Sequence, residues 1–154
     1  MPGKDVSFRK ATNKDIDLLF RVSTEAMRPV VQALNPDIVF NPEEEFRKYK
    51  EKFKPEEIDI IQYQGMDAGR LRVVRSADSI YVGGIQILPE FQNKGIGTSI
   101  FEGLINEAEE LNIPVTLEVH NINTSAINLY KKLGFKEDEQ LENKTVMKYS
   151  PRTQ

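Results

Sequence analysis

Three places in this 154-residue chain hold residue types and spacings that could do chemistry. The first is Gln92-Asn93-Lys94-Gly95-Ile96-Gly97 with Thr98, where a strand ending at Leu88 passes through a loop into a helix. Small residues there let a ligand come close to the main chain. At a helix start the amides of Asn93, Lys94, Gly95, Ile96, Gly97 and Thr98 have no intrahelical acceptor. Together with the helix dipole they suit a phosphate or pyrophosphate. The segment is neither of two common phosphate loops. The string G-x-x-x-x-G-K-S/T is absent, and the dinucleotide pattern lacks its third glycine. What remains is Q-x-x-G-x-G, which a plain tight turn would also satisfy. The second place is the strand Val115 to Val119, in which Thr116, Glu118 and His120 alternate away from Leu117 and Val119. The third is the segment Asn123 to Phe135, with Asn123 placed to cap a short helix and Tyr130 on it.

Composition removes other chemistries. There are no cysteines and one histidine, His120. A disulfide framework, a Cys nucleophile, a cysteine-ligated metal and a multi-histidine metal site are therefore excluded, and no metal is expected. The net charge is −3, from 21 basic and 24 acidic residues. That balance gives no electrostatic footprint for nucleic acid and leans toward a cationic substrate. The longest mostly apolar stretch, Ile80 to Leu88, is far short of the roughly 20 residues that span a bilayer, so no membrane is expected. The opening MPGKDVSFRK lacks an apolar leader core, which points to the cytoplasm and makes the N-x-S/T matches at Asn123 and Asn143 incidental.

The periodicities supply elements to hold these residues. Val6 to Ala11 reads as a strand. Thr12 and Asp15 form a capping box for a helix carrying Ile16, Leu19, Phe20, Val22 and Met27, which Pro29 should close. Asn41-Pro42-Glu43-Glu44-Glu45 starts a second helix, the acids lying against its positive end. Ile58 to Tyr63, Gly69 to Arg75 and Ile80 to Leu88 read as antiparallel strands separated by the turn-like QGMDAG and SAD. A helix from about Gly95 to Leu111, the strand Val115 to Val119 and a helix from Thr124 to Leu133 closed by Gly134 follow. Phe135 to Leu141 and Thr145 to Tyr149 are the last strands. The order βααβββαβαββ predicts an α/β mixed sheet with helices on both faces, in one domain over residues 1–154.

Two segments taken together, IQILPEFQNKGIGTSIFEGLINEA and LEVHNINTSAINLYKKLGF, resemble the GCN5-related N-acetyltransferase family, over about Ile85 to Phe135. The resemblance implies a GNAT-type acyltransferase fold with a splayed central parallel strand pair, here Ile80–Leu88 and Val115–Val119. It implies acetyl-CoA as co-substrate and acetyl transfer to a primary amine by direct attack. Main-chain groups at Ile85, Ile87 and Leu88 would pair with the pantetheine arm, and an amide near Ile87 or Leu88 would polarise the thioester. Gln92 through Thr98 would hold the phosphates. Tyr130 stands at the family's recurring tyrosine and would meet the departing sulfur. Glu118 stands at the glutamate of the LEV motif, the base in ribosomal-protein alanine N-acetyltransferases, although His120 replaces an arginine common there. Glu118, His120 and a water chain remain alternatives as base. Asn123 would cap its helix and reach the cofactor.

The acceptor would be a small-molecule amine or a peptide N-terminus, walled by about Val22 to Phe53, with Glu25, Arg28 and Tyr63 as polar candidates. The reading leaves room for a homodimer. A non-catalytic acetyl-CoA-binding module is the competing class.

Overall fold

Short alternating strands and tight turns build a seven-stranded sheet in the computed structural model, which describes residues 5–152. The strands are β1 (Val6–Lys10), β2 (Asp59–Tyr63), β3 (Met66–Arg75), β4 (Ile80–Ile87), β5 (Val115–His120), β6 (Lys136–Gln140) and β7 (Lys144–Tyr149). They lie in the order β1-β2-β3-β4-β5-β7-β6, and only β4 and β5 are parallel neighbours. The helices are α1 (Ile16–Leu34), α2 (Pro42–Glu51), α3 (Ile96–Leu111) and α4 (Thr124–Lys132). This is the expected order of a GNAT-type mixed α/β fold. The first four residues, read above as lacking a leader, lie outside the described ones.

Consecutive residues of β2 show why both faces are covered. Ile60 packs with Leu19 of α1 and Ile58, beside Tyr49 of α2. Ile61 packs into the larger core with Ile100, Phe101 and Leu104 of α3. Neighbouring side chains of a strand point to opposite faces, so a sheet that is apolar on both needs a helical layer on each.

Local signals position the helices. The Thr12–Asp15 capping box forms, over a 3₁₀ turn that leads into α1. Asn41 accepts from the Glu44 amide at 3.2 Å, with Pro42 in the first turn and Glu43–Glu45 at the positive end of α2. Gly134 takes φ +102° after α4, the left-handed conformation expected there.

Two expectations need correction. Pro29 does not close the first helix, which continues to Leu34. Arg28 and Pro29 are exposed, so the helical bond that proline removes lies on a face that solvent reaches. QGMDAG is not all turn either. The turn is Gln64-Gly65 alone, with φ of +52° and +81°, and β3 already begins at Met66, opposite Tyr63. Two positive φ values match the right-handed twist of a two-residue hairpin, so the strands close at once.

The central parallel pair is brief. Ile80, Tyr81 and Val82 pair with Val115, Thr116 and Leu117, and the ladder then ends. At that point β4 bulges: Val73 faces Val82 but Arg72 faces Gly84, which leaves Gly83 over. An extra residue bends its strand and interrupts pairing. Beyond it β4 follows β3 as far as Ile87, and β5 follows β7 as far as His120. The two strands diverge into a wedge.

On the far edge, Arg9 of β1 ties the sheet to the start of α1. Its guanidinium reaches Asp15 at 2.9 Å and Asp67 at 3.0 Å, and it holds both carboxyls below the usual range. A depressed carboxylate pKa adds stability above the unfolded value near 4, and this is lost as pH falls through the folded values. Arg9→Met should therefore cost about 1–2 kcal/mol at pH 7, modest because the site is a third exposed. The difference between mutant and wild type in denaturant midpoint should shrink as pH falls from 4 to about 2. A pH-independent difference would assign the loss to packing.

Candidate active site

The wedge between β4 and β5 encloses a cavity of about 240 Å³. One wall is Gly83 to Gln86, the other Leu117 to His120, with Asn123 and Tyr130 from α4 and Met27 from α1. The structure therefore brings Ile85, Glu118, Asn123 and Tyr130 together. Ile87 and the loop of residues 92–98 lie beyond, at the open end.

The edge of β4 is free at Ile85 and at the Ile87 N–H, while the Ile87 carbonyl is taken by Gln92. Antiparallel ladders alternate, and the Leu88 N–H donates to the Ala68 carbonyl on β3 at 2.8 Å. Gly84 and Gln86 therefore turn their main-chain groups to β3, while Ile85 and Ile87 turn theirs to the wedge. Leu88 departs from expectation. Its N–H is spent on Ala68 and its carbonyl accepts from Phe91 at 2.9 Å, so it has no main-chain donor for a ligand. Gln92 departs too. Its amide donates to Pro89 and its side-chain Nε2 to the Ile87 carbonyl at 3.0 Å, so it fastens the loop to the strand end.

The loop itself keeps its donors. Among the described residues, the amides of Asn93, Lys94, Gly95, Ile96, Gly97 and Thr98 have no hydrogen-bond partner, and the first α3 ladder bond is from Ser99 to Gly95 at 3.0 Å. Asn93 (φ +64°) and Gly95 (φ +79°) are left-handed, which curls consecutive N–H groups toward one side as an anion-binding concavity. Gly95 has open space where a Cβ would be, and a Cβ on Gly97 would lie 4.0 Å from Leu129 of α4. No side chain caps this helix start.

Tyr130 is buried, with its ring edge-on to Phe101 at 5.0 Å and near Phe135 at 5.8 Å. Burial pushes its phenol up to about 12, so it stays protonated at neutral pH. Its hydroxyl has no hydrogen-bond partner among the described residues. Such a group can give a proton and is poorly suited to take one. Asn123 does cap α4, its side chain accepting from the Ala126 amide at 3.3 Å. Glu118 is exposed at the cavity rim, 3.9 Å from Lys144 Nζ. His120 is held below its usual pKa by burial and then by Lys144, and its buried Nδ1 has no partner, so the imidazole is neutral at pH 7.

Three contributors were not legible as site residues. Gly83, the bulge, was signalled by Gly83-Gly84 inside a strand. Met27 and Lys144 carry no local signal, since only the tertiary fold brings them to the wedge. Of the polar candidates for an acceptor wall, Arg28 lines a separate pocket between α1 and α2, Glu25 pairs with Arg21, and Tyr63 packs on Phe91 away from both cavities.

Known proteins are similar to this chain in sequence or in fold. An N-alpha-acetyltransferase of Sulfurisphaera tokodaii is 42% identical over 59 residues, which are 37% of this chain and 35% of that protein. A ribosomal protein bS18-alanine N-acetyltransferase of Escherichia coli is 41% identical over 54 residues, 34% of this chain and 36% of that protein. The match thus spans about a third of the length of these curated relatives. PaiA N-acetyltransferase of Thermoplasma acidophilum, solved with coenzyme A, shares the fold at a TM-score of 0.72 and 17% identity, over 94% of this chain and 98% of that one. A family model described as Acetyltransferase (GNAT) family matches residues 30–135, more than two thirds of the sequence and every wedge residue except Met27 and Lys144, so the chain belongs to that family.

Proposed function

We propose that this chain is one N-acetyltransferase domain that moves the acetyl group of acetyl-coenzyme A to a primary amine. The observation that carries the reading is the run of six unpaired amides at the open end of a wedge that also holds Tyr130 and Glu118. Donors without acceptors are costly to leave unmet, and a pyrophosphate meets several at once. The bare edge at Ile85 and Ile87 fits the amide-bearing pantetheine arm as an added strand would. When bound, acetyl-coenzyme A supplies an acetyl group activated as a thioester.

The remaining work falls to this chain. The Ile87 N–H is the main-chain donor left to face an acyl oxygen, since Leu88 is committed to Ala68. An alkylammonium has a pKa near 10.4 and must lose a proton before it can attack. Glu118 Oε takes that proton, directly or through a water, and the neutral His120 is the second acceptor in reach of the cavity. The Tyr130 hydroxyl holds a proton for the departing sulfur. The names of the two curated relatives support a peptide N-terminus as acceptor, beside small-molecule amines.

At 100-fold excess over its dissociation constant, acetyl-CoA should stabilise the fold by about 2.7 kcal/mol, a rise of roughly 5–10 °C in Tm. Gly97→Val should fold but lose that rise, because the new side chain covers the free amides. An unchanged rise would remove the phosphate site.

With an amine acceptor, Tyr130→Phe should lower kcat about 10-fold or more with little change in coenzyme affinity. The lost contact strengthens only as charge grows on sulfur. Lower stability with normal kcat would make Tyr130 a packing residue.

Glu118→Gln should cost about 10²-fold or more, most at low pH where the amine is more protonated. A loss under roughly threefold at every pH, with a larger one in His120→Asn, would move the base to His120. Coenzyme binding with no thiol release from any amine would favour a non-catalytic module.

A further inference from the structure

A second and larger pocket, about 680 Å³, lies between α1, α2 and the sheet. Its walls are apolar and aromatic, with Phe20 and Tyr49 in ring contact at 5.5 Å and Tyr49 and Phe53 at 5.6 Å. Its sheet side carries Arg70 of β3. The pocket adjoins the wedge. Met27 lines both, and Arg70 Nη1 donates at 2.8 Å to Oε1 of Gln86, a wedge residue.

Arg70 is an odd residue to find there. Arg9, Arg21, Arg47, Arg72 and Arg75 each hold a carboxylate. Arg70 holds none among the described residues; its only bonded partner is the neutral Gln86 amide, and its buried Nε has no acceptor. Nη2 makes no hydrogen bond among the described residues either, so both donors of the side-on fork that matches a carboxylate are unpaired, with Nε buried. Burial disfavours the charge on this guanidinium, and among the described residues no carboxylate pairs with it to offset the cost. The surroundings agree. Arg28, Lys48, Lys52, Lys54 and Arg70 line the pocket against Glu45 and Glu51, in a chain whose net charge is −3.

We propose that the acceptor amine carries a carboxylate on an apolar body, and that Arg70 binds this carboxylate while the amine enters the wedge. The proposal rests on the acetyl-transfer reading of the wedge. Arg70 and Glu118 lie on strands two apart with the splay of β4 from β5 between them, so they are separated by more than the roughly 10 Å of two ordinary strand spacings. Amine and carboxylate are therefore several bonds apart, as in an ω-amino acid or a peptide with an acidic side chain after its first residue. The mild negative net charge leans toward a cationic substrate, but charge distribution overrides it here: the amine end is cationic, and the pocket that holds the rest is basic.

The test uses matched pairs on the coenzyme A-bound protein. One arm compares 6-aminohexanoate with hexylamine, and 8-aminooctanoate with octylamine. The other compares tetrapeptides with Asp or Asn at the second or third residue. Calorimetric Kd is measured for each, and thiol release is measured with acetyl-CoA. In at least one arm the carboxylate member should bind 10-fold or more tightly, and that arm identifies the source. Arg70→Met should erase the preference, and Arg70→Lys should keep part of it. Equal affinity within every wild-type pair overturns the proposal, and that comparison needs no variant to fold. A preference that survives Arg70→Met overturns the role of Arg70. Carboxylate-dependent binding without thiol release would sustain the pocket and instead defeat the acetyl-transfer reading.

Discussion

The ladder between β4 and β5 stops at Val82 and Leu117, and everything in the site follows from where it stops. A strand inside a sheet normally satisfies its main chain on both sides. Past the bulge, β4 keeps only β3 and β5 keeps only β7, so each presents one bare edge to the wedge. One of the bare groups is met internally, the Ile87 carbonyl by Gln92. The rest need water or a ligand with amides of its own. Connectivity then adds a second set of unmet donors at the same place. Parallel strands require a crossover, and a helix that follows a strand must start where that strand ends. The free amides of α3 therefore sit at the open end of the wedge because of the topology, and the glycines only shape them.

The same constraint explains the packing behind the site. Tyr130 must reach the cavity from the helical layer, so its ring has to be held firmly while its hydroxyl stays free. Phe101 and Phe135 grip the ring from two sides, and Phe135 in turn meets Tyr149 at 5.8 Å. Leu129, one residue earlier, comes near Gly97. The loop of residues 92–98 and the tyrosine are thus set by one patch of α3–α4 packing, and a side chain at Gly97 is felt by both. Since the phenol is kept neutral by burial alone, its proton-donating form needs no partner that a substrate would have to displace.

Much of this was legible in the residues, and the failures have physical causes. Element order, the Asn41 and Asn123 caps, and the left-handed Gly134 are local matters that side-chain chemistry near the main chain decides. Pro29 misled because a proline stops a helix only when the broken bond cannot be met by solvent, and exposure is a tertiary property. QGMDAG misled because composition marks a turn without saying which two residues turn. Leu88 and Gln92 misled for a subtler reason. Both stand in the right segment, but whether a donor is free depends on the Ala68 carbonyl and the Ile87 carbonyl, which lie in other elements. Arg70 was invisible as a site residue. Alternating Arg70 and Arg72 in β3 reads as an ordinary solvated strand face; both are half-buried, and only the tertiary fold gives Arg72 a carboxylate and leaves the Arg70 Nε buried without one.

That covering layer also separates the charges that have a folding reason from the one that lacks it. The lysines around the second pocket follow from α2. Acids at its start and Lys48 and Lys50 in its last turn complement the helix dipole, and Lys52 and Lys54 continue past the end. Their presence on the pocket rim needs no ligand to account for it. Arg70 lies in the middle of a strand, where no dipole favours a cation. Its removal from water is a cost that the Gln86 hydrogen bond and Tyr49 offset only in part. A residue whose burial is costly, whose Nε has no acceptor and which lines a pocket adjoining the wedge gains a physical rationale if something anionic docks beside it. The amphipathic acceptor is thus read from an uncompensated cost in the fold, and the surrounding positive charge is a consequence of how α2 is built.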